Sequence, residues 1–169
     1  MSATPPLTPL AAAVLHVGHP ERILQIECGE GDGVLFLARE FPSARVRGVD
    51  RSEAAVRAAA ARVGLDPEGR VAFKQGGPRS LPFPDDQFDL IAALDSHPAA
   101  AEASRVLRPG GFLVLAASRR QEAAAGFRGR LLRRRLARFG FEPIWSEPAG
   151  DGSFFIARSG GGDPPGLAL

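Results

Sequence analysis

The 169-residue chain has a single cysteine, Cys28, which excludes a disulfide within it. Its three histidines, His16, His19 and His97, lack the clustering of a metal centre, so no metal is expected. No apolar run approaches the ~20 residues of a membrane-spanning helix. The start, Met-Ser-Ala-Thr-Pro-Pro, has neither the basic opening nor the long apolar core of a signal peptide. A cytoplasmic protein with no membrane partner is the expectation. Lysine is nearly missing as well, with Lys74 alone against 20 arginines, which reads as a compositional habit rather than chemistry.

What remains is enough for one domain with a sizeable core, since domains usually run about 100–200 residues. The charge is unevenly spread. Residues 1–118 carry 12 basic and 14 acidic side chains, about −2, whereas residues 119–169 carry 9 and 5, about +4.

In order, residues 1–21 hold prolines and a partly helical segment from Leu10 to Val17. Strand one is predicted at Arg22 to Ile26, then a turn from Glu27 to Gly33 and a helix from Val34 to Phe41. That helix sets Val34, Leu37, Ala38 and Phe41 on one face at i, i+3, i+4, i+7. Strand two runs from Ala44 to Val49 and ends in Asp50. Ser52 is a suitable N-cap for a helix over Glu53 to Val63, which Gly64 stops. Strand three is Arg70 to Lys74. Phe88 to Leu94 is an apolar run broken only by Asp89, the pattern of a central strand buried on both faces. Pro98 suits the first turn of a helix to about Leu107. Pro109-Gly110-Gly111 leads into strand five, Phe112 to Ala117. An arginine-rich helix follows, Gln121 to Phe139, with Leu131, Leu132, Leu136 and Phe139 on another side than the charges. Two late strands, Phe141 to Ser146 and Ser153 to Arg158, read as a hairpin. Trp145 and the phenylalanines read as core. The stretch 22–158 is the expected α/β domain, and the Gly/Pro-rich 159–169 an expected disordered tail.

Strands alternating with helices imply a parallel sheet covered on both faces. Right-handed crossovers bring the Gly29–Gly33 turn and Asp50 together at the C-terminal edge of the strands, where ligands bind in such sheets. Glycines there let a backbone approach a ligand, and the helix that follows aims free N–H groups at it. Dinucleotides and S-adenosylmethionine both use this arrangement. The carboxylates Glu27, Glu30 and Asp32 lie among the glycines and would repel a pyrophosphate, by about 4 kcal/mol per unit pair at ~4 Å and an effective dielectric near 20. They suit a cofactor carrying a sulfonium and an ammonium. Asp50 fits either cofactor through ribose hydroxyls; its structural alternative is a turn residue before the next helix.

From Arg22 to Arg158 the chain resembles the class I S-adenosylmethionine-dependent methyltransferases, in particular their small-molecule branch. Four segments in order carry the resemblance. Glu27-x-Gly29-x-Gly31-x-Gly33 matches the first motif, and Asp50 the ribose acid. Leu81-Pro82-Phe83-Pro84-Asp85 through Ile91 is similar to the approach to the fourth strand. Glu102 through Phe112, with Arg108-Pro109-Gly110-Gly111, is similar to the entry to the fifth. Gly140-Phe141 resembles the lead into a closing hairpin. The resemblance implies a Rossmann-like α/β fold: a seven-stranded mixed sheet, the last strand antiparallel, helices on both faces. It implies S-adenosylmethionine as cofactor, S-adenosylhomocysteine as product, and cofactor contacts at Glu27, Gly29, Glu30, Gly31, Asp50, Arg51, Gly76, Gly77 and Ala93. Gly77 stands where that family has an acid for the adenine amino group, and Arg51 where it has an apolar residue on the adenine.

Methyl transfer rests mainly on in-line positioning, with a base where the acceptor must lose a proton. Asp95 and His97, just after strand four, are the catalytic candidates; the plainer reading has them begin a helix. The arginine helix reads first as a solvated amphipathic face. With no aromatics interleaved to stack bases, a nucleic-acid partner is disfavoured. The expected function is methyl transfer to a small-molecule acceptor. The alternative is a degenerate methyltransferase fold kept as a binding or scaffold module, with a protein partner or a second copy.

Overall fold

The computed structural model describes residues 5–160, save the side chains of residues 122–128. Of the expected disordered tail 159–169, Ser159 is instead the buried last residue of a strand, and residues 161–169 lie outside the described residues. Seven strands, β1 (Arg22–Ile26), β2 (Arg45–Asp50), β3 (Val71–Gln75), β4 (Phe88–Leu94), β5 (Leu107–Ser118), β6 (Phe141–Ala149) and β7 (Gly152–Ser159), form one sheet. Their spatial order is β3-β2-β1-β4-β5-β7-β6. β1 to β5 pair in parallel, and β7 runs antiparallel between β5 and β6. The sheet is thus mixed with its last strand reversed, as expected.

The helices are α1 (Leu7–Val14), α2 (Asp32–Glu40), α3 (Glu53–Arg62), α4 (Ala100–Val106) and α5 (Arg119–Arg138). Alternate residues of a strand face opposite sides of the sheet, which produces two cores. On one side Ile23, Val46, Leu90 and Val114 meet Leu10, Ala13 and Val14 of α1 and Val34, Leu37 and Ala38 of α2. On the other, Leu24, Val49, Ile91 and Leu113 meet Ala100, Ala103 and Val106 of α4 and Leu132 and Leu136 of α5. Each fully buried Leu or Ile contributes about 1.5–3 kcal/mol. The N-terminal helix is therefore part of the core. None of the described helices is long and apolar enough to cross a membrane.

Several local expectations differ from the fold. α4 begins at Ala100 with Ala99 as its cap residue, so Pro98 lies ahead of the helix. A proline disfavours helical backbone in the residue before it, and the chain uses Ser96–Pro98 as a connector. Strand β5 starts at Leu107 and absorbs Pro109-Gly110-Gly111 as an irregularity in its pairing with β4, Gly110 at φ 80. Leu131 is 41% exposed rather than packed, and Trp145 is 47% exposed. Trp145 stacks on His16 at 5.0 Å, on strand β6 at the sheet edge. Pro143 and Pro148 interrupt that edge, removing donors a further strand would need.

The site is positioned by register. Ile26 lies beside Val49 on one side and Ala93 on the other, so the residues after β1, β2 and β4 emerge side by side.

Candidate functional site

The turn after β1 is built from backbone that side chains resist. Gly31 has φ 92, and a Cβ there would lie 3.1 Å from Ala59 Cβ and 3.2 Å from Phe73 Cζ. Gly33 sits against β1: a Cβ would come within van der Waals overlap of the Gln25 amide. Glycine at these points lets the turn close onto the sheet. α2 then starts with Gly31 at its cap and no side-chain cap bond, leaving its first N–H groups for a ligand.

Asp50 locks this turn. Its Oδ2 accepts from Gly29 N at 2.9 Å and its Oδ1 from Ser52 N at 2.9 Å. Ser52 in turn caps α3, its Oγ accepting from Ala55 N at 3.2 Å. Asp50 thus braces the turn, and each oxygen keeps lone-pair capacity beyond these bonds. Cys28 is buried beside it. Burial first, then the Asp50 charge, push its thiol up to about 12, so the sulfur stays protonated.

Between the ends of β1, β2, β3 and β4 opens a cavity of about 900 Å³. Its wall includes Glu27, Arg51 and Gly77 of the expected cofactor contacts, and Asp95 and His97, the catalytic candidates. Pro78, Arg79, Ser80, Ser96 and Gln121 complete it. None of these five was indicated by a motif, and Gln121 arrives from α5, far along the chain. Gly29, Gly31, Asp50 and Gly76 are not among the lining residues but lie close to them in the chain, Gly76 N donating to Asp50 O at 2.9 Å. Ala93 is 1% exposed within β4, paired to Ile26, and is not a wall residue. Glu30 is exposed at the tip of the turn and is also absent from the wall.

The charge pattern of the turn is altered by partners distant in sequence. Arg51 Nη2 pairs with Glu27 Oε1. Arg62 Nη1 pairs with Asp32 Oδ1 at 2.7 Å and donates to Glu30 O at 2.8 Å. The wall thus carries two carboxylates, Glu27 and Asp95, and two guanidiniums, Arg51 and Arg79. Arg51 is engaged as an ion-pair partner.

Glu27 (φ 51) and Asp95 (φ 48) both have left-handed backbone. Asp95 Oδ1 accepts from Ser118 N at 2.7 Å, tying the end of β4 to the end of β5. Ser96 Oγ is buried with no hydrogen-bond partner among the described residues. His97 is exposed. These three residues also line a second cavity of about 460 Å³ between α5 and the ends of β5, β6 and β7.

The Leu81–Asp85 loop is held by one clamp. Arg105 donates to Leu81 O (3.0 Å) and Phe83 O (2.8 Å), and pairs with Asp85 and Glu102. Glu102 Oε2 accepts from Leu81 N at 2.7 Å. The Arg105 hydrogen bond holds the Glu102 carboxyl below its usual range. The Leu-Pro-Phe segment thus acts by anchoring the loop beside the cavity wall at Gly77–Ser80.

Comparison with known proteins points the same way. Residues 23–111, more than half of the chain, match the methyltransferase domain family. A fatty-acid O-methyltransferase of Mycolicibacterium smegmatis is 34% identical over 101 residues, 56% of this chain and 36% of that protein. A 27-O-demethylrifamycin SV methyltransferase of Amycolatopsis mediterranei is 36% identical over 122 residues, 67% of this chain and 44% of that protein. The chain therefore spans well under half the length of these relatives. Geranyl diphosphate C-methyltransferase from Streptomyces coelicolor, solved with S-adenosyl-L-homocysteine, aligns at a TM-score of 0.72 with 15% identity, covering 88% of this chain and 75% of that one. At that identity the likeness speaks for the fold alone. The sequence match carries further, and on it the chain belongs to the methyltransferase domain family, among the class I S-adenosylmethionine-dependent methyltransferases.

Proposed function

We propose that this chain binds S-adenosylmethionine in the 900 Å³ cavity and transfers its methyl group to a small-molecule acceptor in the adjoining 460 Å³ cavity. The observation that carries this reading is the shared wall: Asp95, Ser96, His97 and Gln121 line both spaces. The donor groups fit the cofactor. Asp50, fixed by two backbone N–H bonds, has spare acceptor sites for ribose hydroxyls. Glu27 offers a carboxylate to the cofactor's ammonium, exchanging Arg51 for it. Gly77 presents only backbone to the adenine edge.

When bound, the cofactor supplies an electrophilic sulfonium methyl, and transfer breaks the methyl carbon–sulfur bond as the acceptor lone pair forms the new one. This chain's residues position the two partners and exclude water. Asp95, committed to Ser118 N, is a positioning residue. His97 lines both cavities and is the group placed to take a proton from an acceptor that carries one. A scaffold that had given up the cofactor would leave the strained Glu27 without a use. The test is isothermal titration with S-adenosylmethionine. Saturable one-to-one binding, weakened in Asp50→Asn, supports the proposal; no heat from a folded protein overturns it.

A further inference from the structure

The 460 Å³ cavity has a character of its own, and its reading rests on the proposal that it holds the methyl acceptor. Its floor is apolar, with Leu115, Leu132 and Phe155, which share one core. Its rim is cationic. Arg130 and Arg133 both line it, spaced i, i+3 and so neighbours on the surface of α5. Arg133 is held there, its guanidinium 4.8 Å over the ring of Phe155, a geometry that restrains the side chain. Neither arginine meets a carboxylate among the described residues. The carboxylate that lines the space, Asp95, has its Oδ1 on the backbone of Ser118 at 2.7 Å.

Two like charges a turn apart repel each other on a helix. Both are exposed at the rim. Here both border one concave space, and one is stacked on its floor. Guanidinium groups over an apolar floor suit a ligand with an apolar body and a carboxylate or phosphate at one end. A space of this size falls within the range for small organic ligands, about 300–1,000 Å³.

We infer that the acceptor site selects an anionic amphiphile, with Arg133 and Arg130 binding the anionic group and the Leu115–Leu132–Phe155 floor binding the apolar chain. Arg133 is thereby a specificity-determining residue, distinct from the cofactor wall.

The test titrates the protein first with S-adenosylhomocysteine, then with decanoate, decyl phosphate or 1-decanol. Decanoate or decyl phosphate should bind the S-adenosylhomocysteine complex about tenfold or more tighter than 1-decanol, the difference a charged hydrogen bond supplies. Which anion binds more tightly distinguishes a carboxylate from a phosphate acceptor. Arg133→Gln should remove that preference, leave 1-decanol and S-adenosylhomocysteine affinities unchanged, and be rescued in part by Arg133→Lys. Equal binding of anion and alcohol, no binding of either to the cofactor complex, or an unchanged preference in Arg133→Gln each overturns the inference. Failure of S-adenosylhomocysteine itself to bind overturns the cofactor proposal instead, and anion-selective binding in that case still supports the reading of this cavity.

Discussion

Replacing Gly77 by aspartate asks the cavity to regain an interaction that its sequence lacks. The position tolerates it. A Cβ on Gly77 would lie 3.5 and 3.6 Å from Arg51 Cγ and Cδ, ordinary contact distances, and its backbone is not left-handed. Removing a glycine at a compatible position stabilises by about 0.4–1 kcal/mol through the unfolded chain. A new carboxylate beside the largely exposed Arg51 adds about 0–1 kcal/mol. It also competes with Glu27 for that guanidinium and so frees Glu27 for the cofactor. If the adenine amino group lies at Gly77, the carboxylate accepts from it. A charged hydrogen bond contributes about 1.5–3 kcal/mol, so the dissociation constant for S-adenosylmethionine should fall about 10- to 100-fold. Titration calorimetry and a thermal melt on the same sample read both effects. Gly76→Asp is the steric control: its Cβ would meet Pro82 Cδ at 2.8 Å and Val49 Cγ2 at 3.1 Å, and it should destabilise by about 1–3 kcal/mol. A Gly77→Asp protein that melts no lower than wild type yet binds the cofactor no better refutes the placement of adenine.

Other perturbations test the braces around the cavity. Asp50→Asn keeps one oxygen for the two N–H groups of Gly29 and Ser52, so calorimetry should show at least tenfold weaker cofactor binding, and urea unfolding a loss of about 1 kcal/mol. Glu102→Gln should cost about 1–3 kcal/mol at pH 7. The Glu102 carboxyl is held below its usual 4.5, so its contribution is full above that value and is lost as pH falls through the lowered one. The gap between variant and wild type in urea midpoints should accordingly close in acid. Cys28 has the opposite sign: raised to about 12 from 9.0, it supports the fold fully below pH 9 and loses that support as pH rises toward 12. Its thiol should resist alkylation at pH 8 in the folded chain, and Cys28→Ala should move alkaline unfolding to higher pH.

The parts of the fold legible in the sequence are those decided by neighbours along the chain. β1 and β4 occupy the expected residues, because continuous apolar runs bounded by turn residues leave little freedom. Ser52 caps α3 as its type predicts, with Gly64 at φ 71 beyond the end. The reversed last strand followed from two short runs too close together for a crossover. What the sequence concealed depends on partners far apart. The acidic turn looked suited to a cation, yet Arg51 and Arg62, 24 and 30 positions from their carboxylates, already meet it. Trp145 read as core by residue type, but it falls on the edge strand, where His16 from the N-terminal segment covers one face. Gln121, Arg79 and Ser96 carry no pattern at all. Only the crossing of α5 over the strand ends brings Gln121 to the cavity.

The ends of β1 and β4 share a feature whose causes differ. Left-handed backbone costs an ordinary L-residue about 1–2 kcal/mol. At Asp95 that cost is offset locally, since Oδ1 satisfies Ser118 N and links two strand ends. At Glu27 the side chain makes only an ion pair with Arg51, whose side chain is 71% exposed, and such pairs contribute about 0–1 kcal/mol. Structure alone therefore does not account for a glutamate at φ 51. A carboxylate needed at the cavity wall does, and this gives a prediction that separates stability from affinity. Glu27→Gly relieves the strain but adds about 0.5–1 kcal/mol of unfolded-chain entropy. With the ~0–1 kcal/mol of the Arg51 pair also lost, the net change in unfolding free energy should lie between about −1 and about +1.5 kcal/mol, centred slightly in favour of the variant. Its affinity for S-adenosylmethionine should fall about tenfold or more, with loss of the ammonium's counter-charge. Glu27→Gln, which keeps the strain and loses the charge, should bind as weakly without the relief of strain. A glycine variant that unfolds more than 1 kcal/mol more easily would show the glutamate to be structural, and one that binds as tightly as wild type would remove it from the cofactor site.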